Sequence, residues 1–558
     1  MNRMILIAAL TVWANGLALP VDAGGANLSD QVRENLRRRI EVAGVSSKNV
    51  CQGEGIRSPA TLSRFYKERF FYPAWTTEDG PLPQAESFIQ AAEEMDKEGL
   101  KPGDYPLLAI RALLAEVRQD IARKNPLSPA KLTDLDLRLT DTFLILASHL
   151  LAGRVNPETI QAGWQAKRRS ADLSALLQDS LGSAQIEKGL KSLIPPHSGY
   201  ARLRQALGEY RNMAQKGGWA MVPGGPQMGM GDGGERVRIL RARLISSGDL
   251  GPMADGDDDL FDEVLEKGVR KFQERHGLEI NGIVDLFTLA ALSVPVEERV
   301  RQIELNMERW RWLPANLGPR YIQANIANFG LEVVEQDHPV MTMRVIVGKP
   351  GQRTPVFSSR MTHLVLNPHW NVPQSIARKE ILPLIQKNPD YLAQNRFQVF
   401  QGWGSGRKKV DAKTVDWARV TAENLPYNFR QEAGPMNELG RVKFMFPNKF
   451  DVYLHDTPWR GLFARTAREF SHGCLRIEKP IELAEYLLRD DPRWTRESIL
   501  AAIDKNVDRV VRLPQPIAVH LLYWTAWVDG DGSVQFRNDI HGWDRKQAEA
   551  LAKKRGAP

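Results

Sequence analysis

The sequence predicts a multidomain α+β protein: an N-terminal helical scaffold, a small three-helix unit, and a mostly-β domain interrupted by an inserted cap. Three observations predict it. Apolar residues recur at helical spacing through most of residues 28–225. A stretch rich in glycine, proline and methionine, residues 223–234, then breaks the pattern. After Pro319 the period switches to two, which is the mark of strands. At roughly 100–200 residues per domain, a chain of 558 residues accommodates three or four domains.

Composition narrows the classes. Hydrophobic residues make up 42% and charged residues 25%, enough apolar material for several cores. Lys+Arg 75 against Asp+Glu 67 gives +8, a mild excess for this length. No basic run is interleaved with aromatics, so no nucleic-acid partner is expected. Cys51 and Cys474 are the two cysteines, which excludes a disulfide-rich scaffold and any zinc site built on cysteine pairs.

Residues 1–23 read as an export signal: Arg3, an uncharged apolar run from Met4 to Ala14, breakers at Asn15, Gly16 and Pro20, and Val21-Asp22-Ala23 as a small-residue cleavage site. Retention as a membrane anchor is the competing reading, because the uncharged stretch approaches the ~20 residues a spanning helix needs. Both readings place the protein in the periplasm. Residues 27–225 form the helical scaffold. One helix carries Leu135, Leu137, Leu139, Phe143, Leu144 and Leu146 and stops at Gly153; another spans Ser198–Trp219. Residues 231–297 form the three-helix unit.

Residues 319–510 form the β domain. Ile322, Ala324 and Ile326 alternate with polar residues, as do Met341 to Val347, Val442 to Phe446 and Phe450 to Leu454. Between these runs, about 376–440, lies a polar stretch with a helix at Glu380–Gln386 and a Gly/Lys-rich turn at Gly402–Lys409. An insertion of that length in a sheet domain is commonly a lid or binding loop. Residues 511–558 read as C-terminal strands and a charged tail.

The stretch Phe450-Asp-Val-Tyr-Leu-His-Asp-Thr-Pro458, then Ser471-His-Gly-Cys-Leu-Arg476, carries the chemistry. If Phe450, Val452 and Leu454 face the core, Tyr453 and His455 face the other way together. Cys474 comes just after Gly473 in a turn, with Pro480 opening a helix. A thiol near a helix N-terminus and an imidazole is expected as thiolate, the form a nucleophile needs. Gly473 permits a sharp bend that turns backbone N–H groups toward a developing oxyanion. Taken singly, each residue also has an ordinary reading, a buried small thiol or a hydrogen-bonded core histidine.

Two resemblances add to this. Phe272-Gln273, Gly277-Leu278, Asn281-Gly282 and Thr288 resemble the small peptidoglycan-binding domain found beside wall enzymes; a linker bundle is the alternative. His455, fifteen intervening residues, then Ser471-His472-Gly473-Cys474-Leu475-Arg476 resembles the signature of the YkuD-type L,D-transpeptidases. Leu135-Asp136-Leu137 with Thr140-Asp141, Gly153 to Pro157, Asn367 to Pro373 and Gly434 to Asn437 resemble the large YcbB-like members.

The resemblance implies an L,D-transpeptidase that joins peptidoglycan stem peptides. Cys474 would be the nucleophile, His455 the proton donor and acceptor, and Gly473 part of an oxyanion hole. Tyr453, Ser471, His472 and Arg476 would line the substrate site, or Arg476 would brace the loop against a carboxylate. Either Asp456 or a backbone carbonyl would orient His455. The expected partners are a tetrapeptide donor stem, an amine acceptor and other wall-synthesis enzymes. Water or a lipoprotein lysine are the alternative acceptors. Carbapenem acylation is implied as well, and no metal or organic cofactor is needed.

Overall fold

One buried carboxylate organises the first helices. In the computed structural model, which describes residues 27–42, 57–160, 168–252, 259–402 and 404–556, the chain divides into two compact units. The stretch 1–23 expected to be an export signal and Cys51 lie outside the described residues. The first unit comprises Met1–Gln90, Pro106–Ile145 and Leu173–Glu187. Here the helix Pro129–Ala152 turns Asp136 inward. Its carboxylate accepts from Ala74 N (2.8 Å), Trp75 N (2.9 Å), Thr76 Oγ1 (3.1 Å) and Tyr66 OH (2.6 Å). Thr140, one turn on, accepts from Trp75 Nε1 at 2.9 Å, and Asp141 accepts the N–H groups of Arg57 and Ser58 at the entry to the helix Pro59–Glu68. The rings of Trp75, Phe88 and Phe143 fill the space beneath.

Removing Asp136 strands three buried donors, Ala74 N, Trp75 N and Thr76 Oγ1, each costing about 1–3 kcal/mol when left unpaired, while Tyr66 OH keeps Thr140 Oγ1 at 2.8 Å. Asp136→Ala is therefore expected to destabilise this unit by more than about 3 kcal/mol, read as a lower denaturant midpoint. An unchanged midpoint would mean that the carboxylate does not hold these helices together.

The second unit comprises Ala91–Tyr105, Leu146–Asp172 and Lys188–Pro558. Part of the helical N-terminal region thus belongs with the C-terminal two-thirds of the chain. The reason is packing: Tyr200, Leu203 and Leu207 share one core with Ile303, Met307 and Trp310. Gly153 is required here by close approach. Its φ is +81°, and a Cβ would fall 2.6 Å from Glu308 Oε1, which accepts the N–H groups of Arg154 and Val155.

Three helices, Glu235–Ser246, Glu263–Arg275 and Leu286–Leu292, enclose the small core of the 231–297 unit, joined by Val222 and Met228. Gln273 is its polar centre. Its amide nitrogen donates to Asn281 Oδ1, Ile283 O and Thr288 Oγ1, and its oxygen accepts from Asn281 N and Gly282 N. The Gln, Asn-Gly and Thr pattern is accounted for as a buried hydrogen-bond hub.

The β domain is one 9-stranded sheet that closes on itself. In chain order its strands are β1 (Arg320–Asn325), β2 (Gly330–Glu335), β3 (His338–Gly348), β4 (Phe357–Leu366), β5 (Val442–Met445), β6 (Leu454–His455), β7 (Glu469–Ser471), β8 (Leu475–Ile477) and β9 (Arg509–Leu522). Their spatial order is β7-β3-β8-β6-β5-β4-β9-β1-β2, and β2 pairs back onto β3. Leu364, Val442, Phe444, Leu454 and Leu475 face the core, against the helix Pro480–Leu488. The alternation predicted for Phe450 to Leu454 yields only a two-residue strand, because Asp451 takes φ +54° and breaks the extended run. The boundary placed at 510 cuts through β9, which lies between β4 and β1 inside the sheet. The C-terminal tail ends in a helix, Trp543–Gly556.

The insertion 376–440 is more than a polar loop. Val372, Ile381, Ile385, Phe397, Val399, Trp417 and Phe429 form a separate core, over a 4-stranded sheet of 370–371, 427–431, 397–401 and 408–410. Two buried asparagines brace the chain where it leaves the barrel and where it returns. Asn367 Nδ2 donates to Ile503 O at 2.9 Å, and Asn437 Nδ2 donates to Pro368 O at 3.1 Å.

Candidate active site

Strand register assembles the site. His455 of β6 lies opposite Arg476 of β8 on one side and Lys443 of β5 on the other. Paired residues share a face, so these three stand in a row on the side away from the core. Tyr453 and Cys474, each two residues before a member of that row, share the face; Leu454 and Leu475 take the opposite one. The Tyr453 and His455 rings meet edge to face at 5.6 Å.

His455 is buried, and its Nδ1 lies 2.6 Å from the backbone carbonyl of Asp456. A carbonyl only accepts, so Nδ1 carries the proton and Nε2 presents its lone pair. The Asp456 carboxylate is engaged elsewhere, by Arg441 N (2.9 Å) and Arg460 Nη1 (3.2 Å). The orienting group is therefore the carbonyl. Gly440 makes room for this: a Cβ there would sit 2.5 Å from Asp456 Oδ2.

The loop 471–474 is wired from below. Ser471 is buried and its hydroxyl accepts from Gly473 N at 3.1 Å while donating to Cys474 O at 2.5 Å. Ser471 therefore shapes the loop and does not line a substrate surface, and the Gly473 N–H is occupied in this state. The Cys474 N–H donates to no acceptor among the described residues. Thr354 holds the other side, donating to Gly473 O at 2.9 Å and accepting from Gly348 N at 2.9 Å. His472 Nε2 meets Glu380 Oε1 from the inserted subdomain. Arg476 pairs with Glu438 at 3.3 Å, bracing the loop; Glu438 also accepts from Trp459 Nε1 at 2.9 Å. Trp459 is half exposed at the lip, whereas Trp370 packs against Phe397 in the inserted core.

The electrostatics reverse one expectation. Cys474 is half-buried just before β8, and that strand intervenes along the chain between it and the helix at Pro480. Burial pushes the thiol above its usual value, opposed by hydrogen bonds from Tyr453 and by the charges of Lys443 and Arg476. Burial and the Arg476 charge push His455 down to about 3. The resting pair is neutral thiol and neutral imidazole.

Sequence reasoning missed Thr354, Glu380, Glu438 and Lys443. Each is a single polar residue far along the chain from the motif, and only the sheet register and the inserted subdomain bring them together.

Comparison with known proteins agrees with this layout. Residues 319–497 match the model of the "L,D-transpeptidase catalytic domain", 60–207 that of a "Scaffold domain", and 233–292 that of a "Putative peptidoglycan binding domain". The chain is thus the expected α+β assembly of a helical N-terminal region, a peptidoglycan-binding-type unit and a mostly-β YkuD-type domain. A Haemophilus influenzae protein named "Putative L,D-transpeptidase" is 34% identical over 248 residues, 44% of this chain and 48% of that protein. The match spans about half the length of that relative. Solved L,D-transpeptidases from Xylanimonas cellulosilytica (15% identical, 54% of this chain and 98% of that one, TM-score 0.16) and Stackebrandtia nassauensis (13% identical, 53% and 94%, TM-score 0.20) are more distant. Among the described residues no helix is long and apolar enough to cross a membrane.

Proposed function

We propose that this protein is a peptidoglycan L,D-transpeptidase that forms 3→3 cross-links through a thioester on Cys474. The observation that carries the reading is the pairing of β6 with β8. It sets Cys474 and His455 on one face, with the His455 proton fixed on Nδ1 and its Nε2 lone pair free to act. His455 takes the Cys474 proton as sulfur attacks the carbonyl of the third residue of a tetrapeptide stem. The Cys474 N–H receives the oxyanion. The carbon–nitrogen bond to the terminal D-alanine breaks, and His455 returns its proton to the departing amine. An amine of a neighbouring stem then attacks the thioester, losing a proton to His455, which passes it back to sulfur. The match of residues 319–497 and the name of the Haemophilus relative support the class of reaction. The substrate places the protein outside the cytoplasm, in the periplasm, with the 231–297 unit holding wall polymer.

The test is mass spectrometry of muropeptides made by the purified protein from tetrapeptide donor chains. A 3→3 dimer is the expected product. Tripeptide alone would make the enzyme an L,D-carboxypeptidase.

The folded insertion reaches the motif loop through Glu380 and His472, and a segment so placed excludes water from an acyl-enzyme. Excising the Gly402–Lys409 turn is expected to raise the ratio of hydrolysis to transfer several-fold. An unchanged ratio would reduce that hairpin to a structural appendage.

A further inference from the structure

Resting on the reading of Cys474 as the nucleophile, we propose that Lys443 is a positioning residue for it: its ammonium, held over the Tyr453 ring, supplies the positive charge that steadies the Cys474 thiolate. Three observations lead there. The first is register. Lys443 lies opposite His455 on β6 and Val365 on β4, so it occupies the next place in the Arg476–His455 row. The second is contact. Lys443 Nζ stands 3.8 Å from the centroid of the Tyr453 ring, a cation–π position that fixes the ammonium beside the thiol's hydrogen-bond partner.

The third is the missing counter-ion. Lys443 is half-buried, and no carboxylate lies within ion-pair distance of its ammonium among the described residues. Asp451 and Asp508 are the acids that face it; His363 and Arg512 are the basic groups on the neighbouring strands, β4 and β9. The other cation near the thiol, Arg476, is already committed to Glu438. A half-buried cation without a partner is costly unless an anion arrives. The anion this site produces is the thiolate.

The charge acts on both members of the pair. It favours the thiolate, and it disfavours a proton on His455, which keeps the imidazole available as a base.

The test uses full-length wild type, Lys443→Met and Lys443→Arg. Alkylation of Cys474 by iodoacetamide is followed by peptide mass spectrometry from pH 6 to 10, with Cys51 resolved as a separate peptide. Methionine keeps the length and removes the charge. Its profile is expected to shift alkaline, with alkylation about tenfold slower at pH 7 and converging on wild type at high pH, where the thiol ionises unaided. Arginine is expected to restore the wild-type profile. An unshifted Lys443→Met profile overturns the proposal, and so does a uniform slowing at every pH, the sign of lost packing. A loss seen only with anionic iodoacetate overturns it too and makes Lys443 a receptor for a substrate carboxylate. Because alkylation needs no peptidoglycan, these outcomes are separate from failure of the transpeptidase reading, which would appear as cross-linking by Cys474→Ala.

Discussion

Cys474→Ala protein is expected to form no 3→3 dimer, with turnover at least about 10³-fold below wild type. Loss of a covalent nucleophile removes the whole two-step route, and what survives in such variants comes from binding and oxyanion contacts alone. The fold should be indifferent to the change. The thiol is half-buried, and beside the hydrogen bonds it accepts from Tyr453 it makes only a weak contact with Asp451 O at 3.8 Å. The loop is held by Ser471 and Thr354, through backbone groups that alanine keeps. Loss of one sulfur from this half-buried position should cost on the order of 1 kcal/mol or less, so the unfolding midpoint should lie close to wild type. Dimer formation above a few per cent of wild type, in protein with a normal midpoint, would sink the nucleophile assignment. No dimer together with a lowered midpoint would send the question to Cys474→Ser.

How much of this was legible in the sequence depends on whether the signal is local. The alternation at Ile322 to Ala324 and at Val442 to Phe444 is written along the chain, and both became strands. The His and Cys of the motif were equally plain, because they stand at a recognisable spacing along the chain, His455 on β6 and Cys474 in the loop just before the neighbouring β8. What escaped is what depends on partners distant in sequence. The inserted subdomain looked polar because its core residues, Val372 to Phe429, are scattered among charged ones and meet only when its sheet forms. β9 shows no unbroken alternation along the chain, because Pro514 and Pro516 interrupt it; the register shifts between Arg512 and Ile517, and pairing resumes on the far side. The thiolate was expected from a neighbouring imidazole and helix N-terminus along the chain. Charge state depends on burial, which residue types do not reveal, and burial favours the neutral forms of both groups.

That neutrality makes the pH profile diagnostic. With His455 pushed down to about 3, the imidazole is already unprotonated at pH 5 and stays so up to neutrality. Acylation of wild type by a carbapenem, followed as one added drug mass on the Cys474 peptide, should therefore show no acid limb between pH 5 and 7. An ordinary histidine, titrating near ~6.5, would lose its base function across that interval. His455→Ala should slow acylation at pH 7 by about 10²–10⁴-fold, the range a positioned general base supplies. Its rate should then climb about tenfold per pH unit, because only spontaneously ionised thiol remains to react. The gap between variant and wild type should narrow steadily toward alkaline pH. If His455→Ala acylates at the wild-type rate at neutral pH, His455 is not the base. The remaining imidazole in the motif is His472, held by Glu380 of the insertion, and Glu380→Gln would then alter the pH profile that His455→Ala left untouched.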